Sequence, residues 1–356
     1  MHTKVQSGPH TRGEARIPVI MRKVMLALVP TTLFGILIFG LPALWLFTLT
    51  VISAALFEAA CLNLAGRKAA ATLHDGSALL TGWLVALTLP PWAPWWIGVV
   101  GAAVAIVLGK QVYGGLGQNL FNPAMLARVT LLVSFPVEMT TWIAPGSFFG
   151  AESPGFLESF GITFGGHIPN LDAVAGASLI GASKTGFSDG IPLSVTLAKE
   201  NYHFFTDFFG VDRGSLGETS TVLILAGGLY LLRERVISWH IPFSMLGTVF
   251  VLATVFNLID PERFADAGFH LTTGALMLAA FFIATDYVTS PNSPTGQIVF
   301  VAGLGLLIFV IRTWGGYPEG TGFAVLLMNA MTPLIDHYVR PRIYGRDRSG
   351  KPLELP

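Results

Sequence analysis

A hydroxyl suited to covalent modification lies in the longest polar segment of an otherwise apolar chain. Ser178 follows Asp172 by six residues, and the five residues between them, Ala-Val-Ala-Gly-Ala, are small or mid-sized. A carboxylate at this spacing, with little bulk after it, can present a serine hydroxyl to a modifying enzyme. Ser183 and Thr185 lie nearby but have no acidic residue six positions upstream. Ser178 is therefore the predicted attachment point.

Two asparagines form a second candidate site. Asn119 and Asn122 lie in the string from Lys110 to Met125, KQVYGGLGQNLFNPAM. Each side-chain amide offers two donors and one acceptor, which suits the edge of a heteroaromatic ring. A structural role is the alternative, in which the amides cap a re-entrant turn and Asn122 is held just before Pro123.

A glycine-rich turn at 214–220, GSLGETS, precedes an apolar run. Free N–H groups and the positive end of a helix dipole favour an anion at such a turn. The candidate anion contacts are Gly214, Ser215, Gly217, Glu218 and Thr219. The alternative is an ordinary capping box that includes Glu218.

Four ionisable residues interrupt apolar runs: Glu58, Arg128, Asp286 and Asp336. A charge at the centre of a bilayer costs about 2.5–3.5 kcal/mol on insertion scales, so such residues usually pair or function. Asp286 and Glu58 are candidates for an ion path. The structural alternatives are a pair between Glu58 and Arg128 and an i,i+4 pair between Asp336 and Arg340.

The elements that must position these groups are membrane helices. Of 356 residues, 52% are hydrophobic and 12% are charged, and a bilayer-spanning helix needs about 17–25 mostly apolar residues. Ten runs qualify, some of them interrupted by Gly and Pro. They are approximately 24–40, 42–65, 76–91, 93–110, 121–137, 219–233, 240–259, 270–288, 297–313 and 321–338. We therefore predict an all-α polytopic membrane protein with about ten transmembrane helices, several of them broken or re-entrant.

The distribution of basic residues predicts the orientation. With ten crossings and a cytoplasmic N-terminus, 15 of the 21 Lys and Arg residues, Lys110 among them, lie on the cytoplasmic side, as the positive-inside rule requires. The predicted segments are a cytoplasmic start (1–23), a first membrane repeat (24–137), a periplasmic loop with Ser178 (138–218), a second membrane repeat (219–338) and a basic cytoplasmic tail (339–356).

The two membrane segments resemble each other. HDGSALLTGWLVALTLPP from His74 resembles HLTTGALMLAAFFIATD from His270, and each is followed about 40 residues after its histidine by Gly-Gly. Five crossings per repeat would invert the second copy about an axis in the membrane plane, and such proteins bind their ligands near the midplane, where broken helices meet.

The sequence also argues against several classes of function. Cys61 is the only cysteine, so the chain alone cannot ligate an iron–sulfur cluster. It has no Walker A loop, no His and Cys spacing for a metal, and no basic patch mixed with aromatic residues. ATP hydrolysis, a metal centre and nucleic-acid binding are not predicted, and no residue is a candidate for direct catalysis.

The asparagine string resembles the Gly-Gly…Asn-x-Phe-Asn-Pro-Ala signature of the NqrB/RnfD family of the Rnf and Nqr redox pumps, and the Asp172–Ser178 segment resembles the flavinylation motif of that family. The likeness continues in order through Ser77–Gly82, Pro90-Pro91, Trp239–Pro242, Thr285-Asp286, Gly315–Pro318 and Arg340–Arg342. The chain departs from the motif at Ala175, where Ser or Thr is usual, and at Leu179, where Pro is usual. Its length and compact N-terminus resemble the RnfD branch of the family.

This resemblance implies a urea-transporter-like fold and a subunit of an ion-translocating ferredoxin:NAD oxidoreductase. It implies an FMN joined to Ser178 through a phosphoester by an FMN transferase, and a non-covalent riboflavin that Asn119 and Asn122 contact. The implied partners are RnfA, RnfB, RnfC, RnfE and the outer-face flavoprotein RnfG, in the bacterial inner membrane. The pumped ion, Na⁺ or H⁺, and the direction of electron flow stay open.

Two other functions are compatible with the sequence. A urea-transporter-like solute channel without a redox role would have a similar arrangement of helices, because a fold does not determine function. A scaffold that only holds partner proteins together is the third possibility.

Overall fold

The first half of the chain forms a bundle of long and short helices. The structure, a computed structural model, describes residues 17–146, 154–166, 175–210 and 213–340. The helices of this half are α1 (Ile17–Phe39), α2 (Leu41–Leu64), α3 (Ala69–Leu73), α4 (Ser77–Leu87), α5 (Trp95–Ala103) and α6 (Pro123–Ser134), and a π-helical segment, π1 (Val104–Gln111), continues α5. Helix α2 packs against both α4 and α5.

The middle of the chain is largely helical in its described parts. It contains α7 (Pro136–Thr140), α8 (Phe156–Gly165), α9 (Leu179–Ser188), α10 (Leu193–Lys199) and α11 (Phe204–Phe209). Two short strands, β1 (Trp142–Ile143) and β2 (Ala175–Gly176), pair antiparallel with Trp142 opposite Gly176. The segment predicted as a polar loop therefore has secondary structure of its own.

The second half contains a similar set of elements. They are α12 (Thr221–Arg233), α13 (His240–Ile259), α14 (Ala267–Thr272), α15 (Leu276–Leu278), a second π-helical segment, π2 (Ala279–Ile283), α16 (Pro294–Trp314) and α17 (Thr321–Tyr338). The main core lies where the halves meet and includes Leu28, Leu87, Phe281 and Phe300, all buried.

Within the described ranges, four helices are long and apolar enough to cross a membrane: α1, α2, α13 and α16. The first of them begins at Ile17, earlier than the predicted start at residue 24. Helices α4, α6 and α12 have 11, 12 and 13 residues, and at about 1.5 Å per residue they span about 16–20 Å, less than the hydrocarbon thickness of about 30 Å. Their lengths suit broken or re-entrant helices, and the number of crossings stays a prediction.

The order of elements partly repeats between the halves. In the first half, short helix α3 is followed by Gly76 with φ 78° and then by α4; in the second, short helix α14 is followed by Gly274 with φ 69° and then by α15. A residue with a Cβ rarely adopts this left-handed conformation, so both connections between helices require glycine. This likeness favours an internal repeat, whereas its inverted orientation stays a prediction.

Candidate functional site

A cavity of about 100 Å³ lies between the two halves; we call it the central cavity. It has room for several water molecules. Its polar lining includes Ser77, Lys110, Asn119, Asn122 and Asp286. Apolar side chains of α1, α4, α12 and π2 form much of the rest of its wall. Residues about 165 positions apart in the sequence thus share one site.

The break before α6 brings Asn122 into this cavity. The Oδ1 atom of Asn122 accepts a hydrogen bond from the Met125 N–H (3.2 Å), which caps α6, and Pro123 occupies the first turn, where no amide hydrogen is needed. The Asn122 N–H donates to Asn329 Oδ1 (3.0 Å), and its Nδ2 approaches Asp286 Oδ2 at 3.5 Å. Asn122 therefore has the predicted capping role and also faces the cavity.

Asn119 has more hydrogen-bonding capacity left. Its Nδ2 donates to the Phe121 carbonyl (3.1 Å), and the side chain is buried at the cavity wall. Since an amide has two N–H donors and one carbonyl acceptor, one donor and the acceptor are not used by this bond. Contact of Asn119 and Asn122 with riboflavin stays a prediction.

Asp286 lies where the two halves meet. Its carboxylate accepts from Thr289 Oγ1 (3.2 Å) and from the Val288 N–H (3.3 Å). Among the ion pairs of the described residues, none involves Asp286. Asn329, which was not predicted, supports this region because its Nδ2 donates to the Thr289 carbonyl (3.2 Å). A polar amide inside the apolar run 321–338 was the signal that could have identified it.

Glu58 forms an ion pair with a different residue from the one predicted. Lys110 Nζ lies 2.8 Å from Glu58 Oε1, and the two side chains are only 2% and 1% exposed. Lys110 also donates to Ser77 Oγ (2.7 Å). The Glu58–Arg128 pair, the structural alternative for Glu58, is therefore wrong. Lys110 is buried in the bundle, and its assignment to the cytoplasmic side stays a prediction. Lys110 lies in π1 and its side chain is buried, which a local sequence pattern does not reveal.

Asp336 also binds a different partner from the predicted one. Its two carboxylate oxygens accept from the backbone N–H and the Nδ2 of Asn292, at 3.0 and 2.9 Å. Arg340 donates instead to the His337 carbonyl (3.0 Å). The predicted i,i+4 pair is therefore wrong, because Asn292, in the loop before α16, binds the Asp336 carboxylate instead.

Ser178 borders a second cavity, about 40 Å³ in volume, which we call the Ser178 cavity. Ser178 is half-buried at the N-cap of α9, where its Oγ accepts a hydrogen bond from the Gly181 N–H (3.2 Å). Arg128, Arg213, Gly214 and Glu218 also line this cavity. The structure therefore brings Ser178 next to the glycine-rich turn and to two arginines. Asp172 lies outside the described residues.

Two backbone amides of the glycine-rich turn bind carbonyls at the end of α4. The N–H of Leu216 donates to the Leu89 carbonyl (3.2 Å), and that of Gly217 donates to the Leu87 carbonyl (2.7 Å). Gly217 is required here because a Cβ would lie 2.7 Å from the Cβ of Leu87. These amides satisfy carbonyls at and just after the C-terminus of α4 and are not available to an anion.

The remaining candidates in this turn differ in their surroundings. Ser215 and Thr219 are buried and do not line the Ser178 cavity, and the Ser215 N–H lies 3.5 Å from Glu218 Oε2. Gly214 and Glu218 do line the cavity. The Glu218 carboxylate lies 3.6 Å from Arg128 Nη2, and Arg128 also donates through Nη1 to the Thr88 carbonyl.

A second buried ion pair supports the same region. Arg312 Nη2 lies 2.7 Å from Glu319 Oε2 and donates to the Thr273 carbonyl (3.0 Å). Burial alone would raise the pKa of Glu319, but the adjacent Arg312 outweighs it and holds the pKa at about 2. Glu319 also lines the Ser178 cavity, so this carboxylate is ionised at neutral pH and its charge is neutralised by Arg312.

Lys184 holds the helix that begins at Ser178 against the second half. Its Nζ donates to the Ile311 carbonyl (2.7 Å) and to the Tyr317 carbonyl, at the C-terminal end of α16. A cation at this end of a helix is stabilised by the helix dipole. Burial lowers the pKa of Lys184 to about 8, so the side chain is mostly cationic at neutral pH.

The fold and these sites define an α-helical membrane protein with polar groups gathered between its two halves. The chain belongs to the NQR2, RnfD, RnfE family, whose model matches residues 4–345. It is similar to bacterial proteins named as the D component of an ion-translocating oxidoreductase complex. The protein of Halorhodospira halophila is 53% identical over 99% of this chain and 98% of its own length, and that of Stutzerimonas stutzeri is 54% identical over 94% of each. The family predicted from the sequence motifs is confirmed.

Proposed function

We propose that this chain is the flavin-carrying membrane subunit of a redox-driven ion-translocating complex, with FMN esterified to Ser178. The observation that carries the proposal is the position of Ser178, whose half-buried hydroxyl borders a cavity that Arg128 and Arg213 also line. A phosphodiester keeps one negative charge, which nearby guanidinium groups stabilise. The names of the relatives, as subunits of an ion-translocating oxidoreductase complex, support the same function.

The local geometry suits a phosphoester on Ser178. Its Oγ accepts the Gly181 N–H, and an ester oxygen can keep this acceptor role after the hydroxyl proton is lost. Attachment forms a bond between Oγ and phosphorus, breaks the bond from phosphorus to the leaving group of the donor flavin nucleotide, and releases the hydroxyl proton. The partner that performs this step is an FMN transferase.

The central cavity is the proposed site for riboflavin. Asn119 supplies an unused donor and acceptor at its wall, as the edge of an isoalloxazine ring requires. Pockets for ligands of this size usually measure about 300–1,000 Å³, whereas this cavity measures about 100 Å³. Side chains of the wall must therefore move apart when the ring enters. Bound there, the flavin would supply the redox chemistry, and the protein would supply its orientation and insulation.

Asp286 is the proposed ion-path residue, and Glu58 is a weaker candidate because Lys110 already neutralises its charge. Asp286 lies between the two halves of the chain and has hydrogen-bond donors but no ion-pair partner among the described residues. The remaining parts of the proposal are RnfA, RnfB, RnfC, RnfE and RnfG as partners, the bacterial inner membrane as location, and an orientation with both termini cytoplasmic and Ser178 periplasmic.

The proposal is tested by mass spectrometry of the protease fragment that contains Ser178, together with ultraviolet fluorescence of the denatured protein band. We expect an FMN-sized mass increment on Ser178 and a fluorescent band. Ser178→Ala should abolish the fluorescence. The matched control is Ser183→Ala, five residues further along α9, where Oγ only donates to the Ile180 carbonyl (2.9 Å); this variant should stay fluorescent. An unmodified fragment, from cells that flavinylate other proteins, would contradict the proposal and favour a channel or a scaffold.

A further inference from the structure

Helix α8 (Phe156–Gly165) has an apolar face that the rest of the described chain covers only in part. The exposed side chains are Phe156, Leu157, Phe160 and Phe164, and Leu157 is 84% exposed. At about 100° per residue, these four positions fall within an arc of about 100° on one side of the helix. Water would be in contact with three aromatic rings and a leucine if this face were in solution, which is unfavourable.

The buried face of the same helix is more polar than its exposed face. Ser159, Ile162 and Thr163 are buried. The Ser159 hydroxyl donates to the Pro154 carbonyl (3.1 Å). In a helix on the surface of a water-soluble domain, the apolar stripe faces the core and the polar residues face the solvent. Helix α8 has the opposite arrangement, which is expected where the surrounding medium is hydrocarbon.

A third face of α8 is exposed and has no large apolar side chain. Glu158 lies about 100° beyond Leu157 around the helix and is exposed, as is Gly165, while Gly161 between them is partly exposed. The helix therefore has three distinct sides: one against protein, one apolar and one with a carboxylate. An interfacial helix lying in the plane of a membrane needs this pattern, because it contacts acyl chains on one side and water on another.

The contacts of α8 place it beside a membrane-spanning helix. It packs against α2, and the ring of Phe156 lies 5.8 Å from that of Trp45 in an edge-to-face arrangement. Helix α2 is long and apolar enough to cross a bilayer, and its exposed side chains include Leu44, Ile52 and Leu56. Trp45 lies near the first residue of α2, and tryptophan is enriched where membrane helices meet the interface.

We infer that α8 lies in the membrane interface, with Phe156, Leu157, Phe160 and Phe164 inserted among lipid acyl chains and Glu158 directed to water. The lipid is the occupant because the apolar face of α8 continues, through the Phe156–Trp45 contact, the apolar surface of a transmembrane helix. The helix is thereby an anchor for one end of the segment that carries Ser178. This inference does not depend on flavin attachment.

The test places the photoreactive residue benzoylphenylalanine at Leu157 or at Glu158, one position apart on α8, in the complete complex in native membranes. After irradiation, mass spectrometry identifies what each position has bound. We expect a phospholipid adduct at position 157 and none at position 158. Leu56 of α2, which is 64% exposed, is the positive control and should also form a lipid adduct.

The other outcomes would overturn the inference. A crosslink from position 157 to another polypeptide would show that a partner protein covers this face. No adduct at position 157, with a lipid adduct at Leu56, would show that the face is in water. Equal lipid adducts at 157 and 158 would show that α8 is surrounded by lipid and does not lie at the interface.

Discussion

Replacing Lys110 by methionine while Glu58 stays in place should destabilise the protein much more than the equivalent change in an exposed ion pair. Two ion pairs of described residues have the same N···O distance of 2.8 Å: Lys110–Glu58, with side chains 2% and 1% exposed, and Lys23–Glu234, with side chains 30% and 36% exposed. Burial is therefore the main difference between them.

The expected magnitudes follow from this difference. At 2.8 Å two unit charges attract by about 6 kcal/mol at an effective dielectric constant of about 20 and by about 1.5 kcal/mol at that of water. Removing one member of a buried pair costs about 3–5 kcal/mol, because the other charge is left without a partner. Glu58 is especially sensitive because its Oε2 is already buried without a hydrogen-bond partner among the described residues. Lys23→Met should have a much smaller effect, because solvent screens this exposed pair.

A suitable assay is thermal unfolding of the purified protein in detergent, followed by tryptophan fluorescence. With about 2 °C per kcal/mol for a chain of this size, Lys110→Met should lower the midpoint by about 6–10 °C, and Lys23→Met should lower it much less. The double variant Lys110→Met/Glu58→Met should recover most of the loss, because it leaves no unpaired charge. Equal small shifts for Lys110→Met and Lys23→Met, or a double variant as unstable as Lys110→Met, would refute the reasoning.

Three further predictions concern other parts of the fold. Burial raises the pKa of Asp207 to about 6. The contribution of the protonated carboxyl to stability is therefore present below about pH 4 and is lost as the pH rises through about 6. In thermal unfolding, the stability of Asp207→Asn should equal that of the parent protein at about pH 4 and exceed it by about 1–2 kcal/mol at about pH 7. Gly228→Ala should lower the free energy of unfolding by about 1–3 kcal/mol, because the added Cβ would lie 2.3 Å from Phe281 Cδ1. The control is Gly247→Ala, whose Cβ would have nothing within 4 Å and which should be neutral or stabilising in the same measurement. Lys184→Met should speed backbone amide hydrogen exchange in α9, since it removes the hydrogen bonds from Lys184 to the end of α16. Unchanged exchange would show that Lys184 does not hold α9 in place.

The local chemistry of several elements was predictable from the sequence. The structural alternative for Asn122 was to cap a turn just before Pro123, and Asn122 caps α6, which begins at Pro123. Gly76 and Gly274 lie just before α4 and α15, and both have the left-handed backbone that glycine readily adopts. The low charged fraction predicted an all-helical membrane protein, and the Asn119–Asn122 string predicted the family. These features depend on neighbouring residues or on composition, so the sequence alone contains them.

The pairing of buried charges depended on the tertiary structure. Glu58 binds Lys110, 52 residues away, and Arg128 lies 3.6 Å from Glu218, about 90 residues further along the chain. No periodicity predicts such pairs, because they are set by how the helices pack in three dimensions. The exposed apolar face of α8 is a similar case, since only its packing on α2 shows which side of the helix is uncovered.

The sequence by itself determined which residue types were available, the apolar runs, and the order of the motifs, because these are properties of the linear chain. The tertiary structure decided that Asn122 and Asp286 share one cavity and that Ser178 shares another with Arg128 and Arg213. It also decided that the amide of Gly217 binds the Leu87 carbonyl, so it is not free for an anion. The physical reason is that a buried polar group must find its partner in three dimensions, and the nearest partner in space is often remote in the sequence.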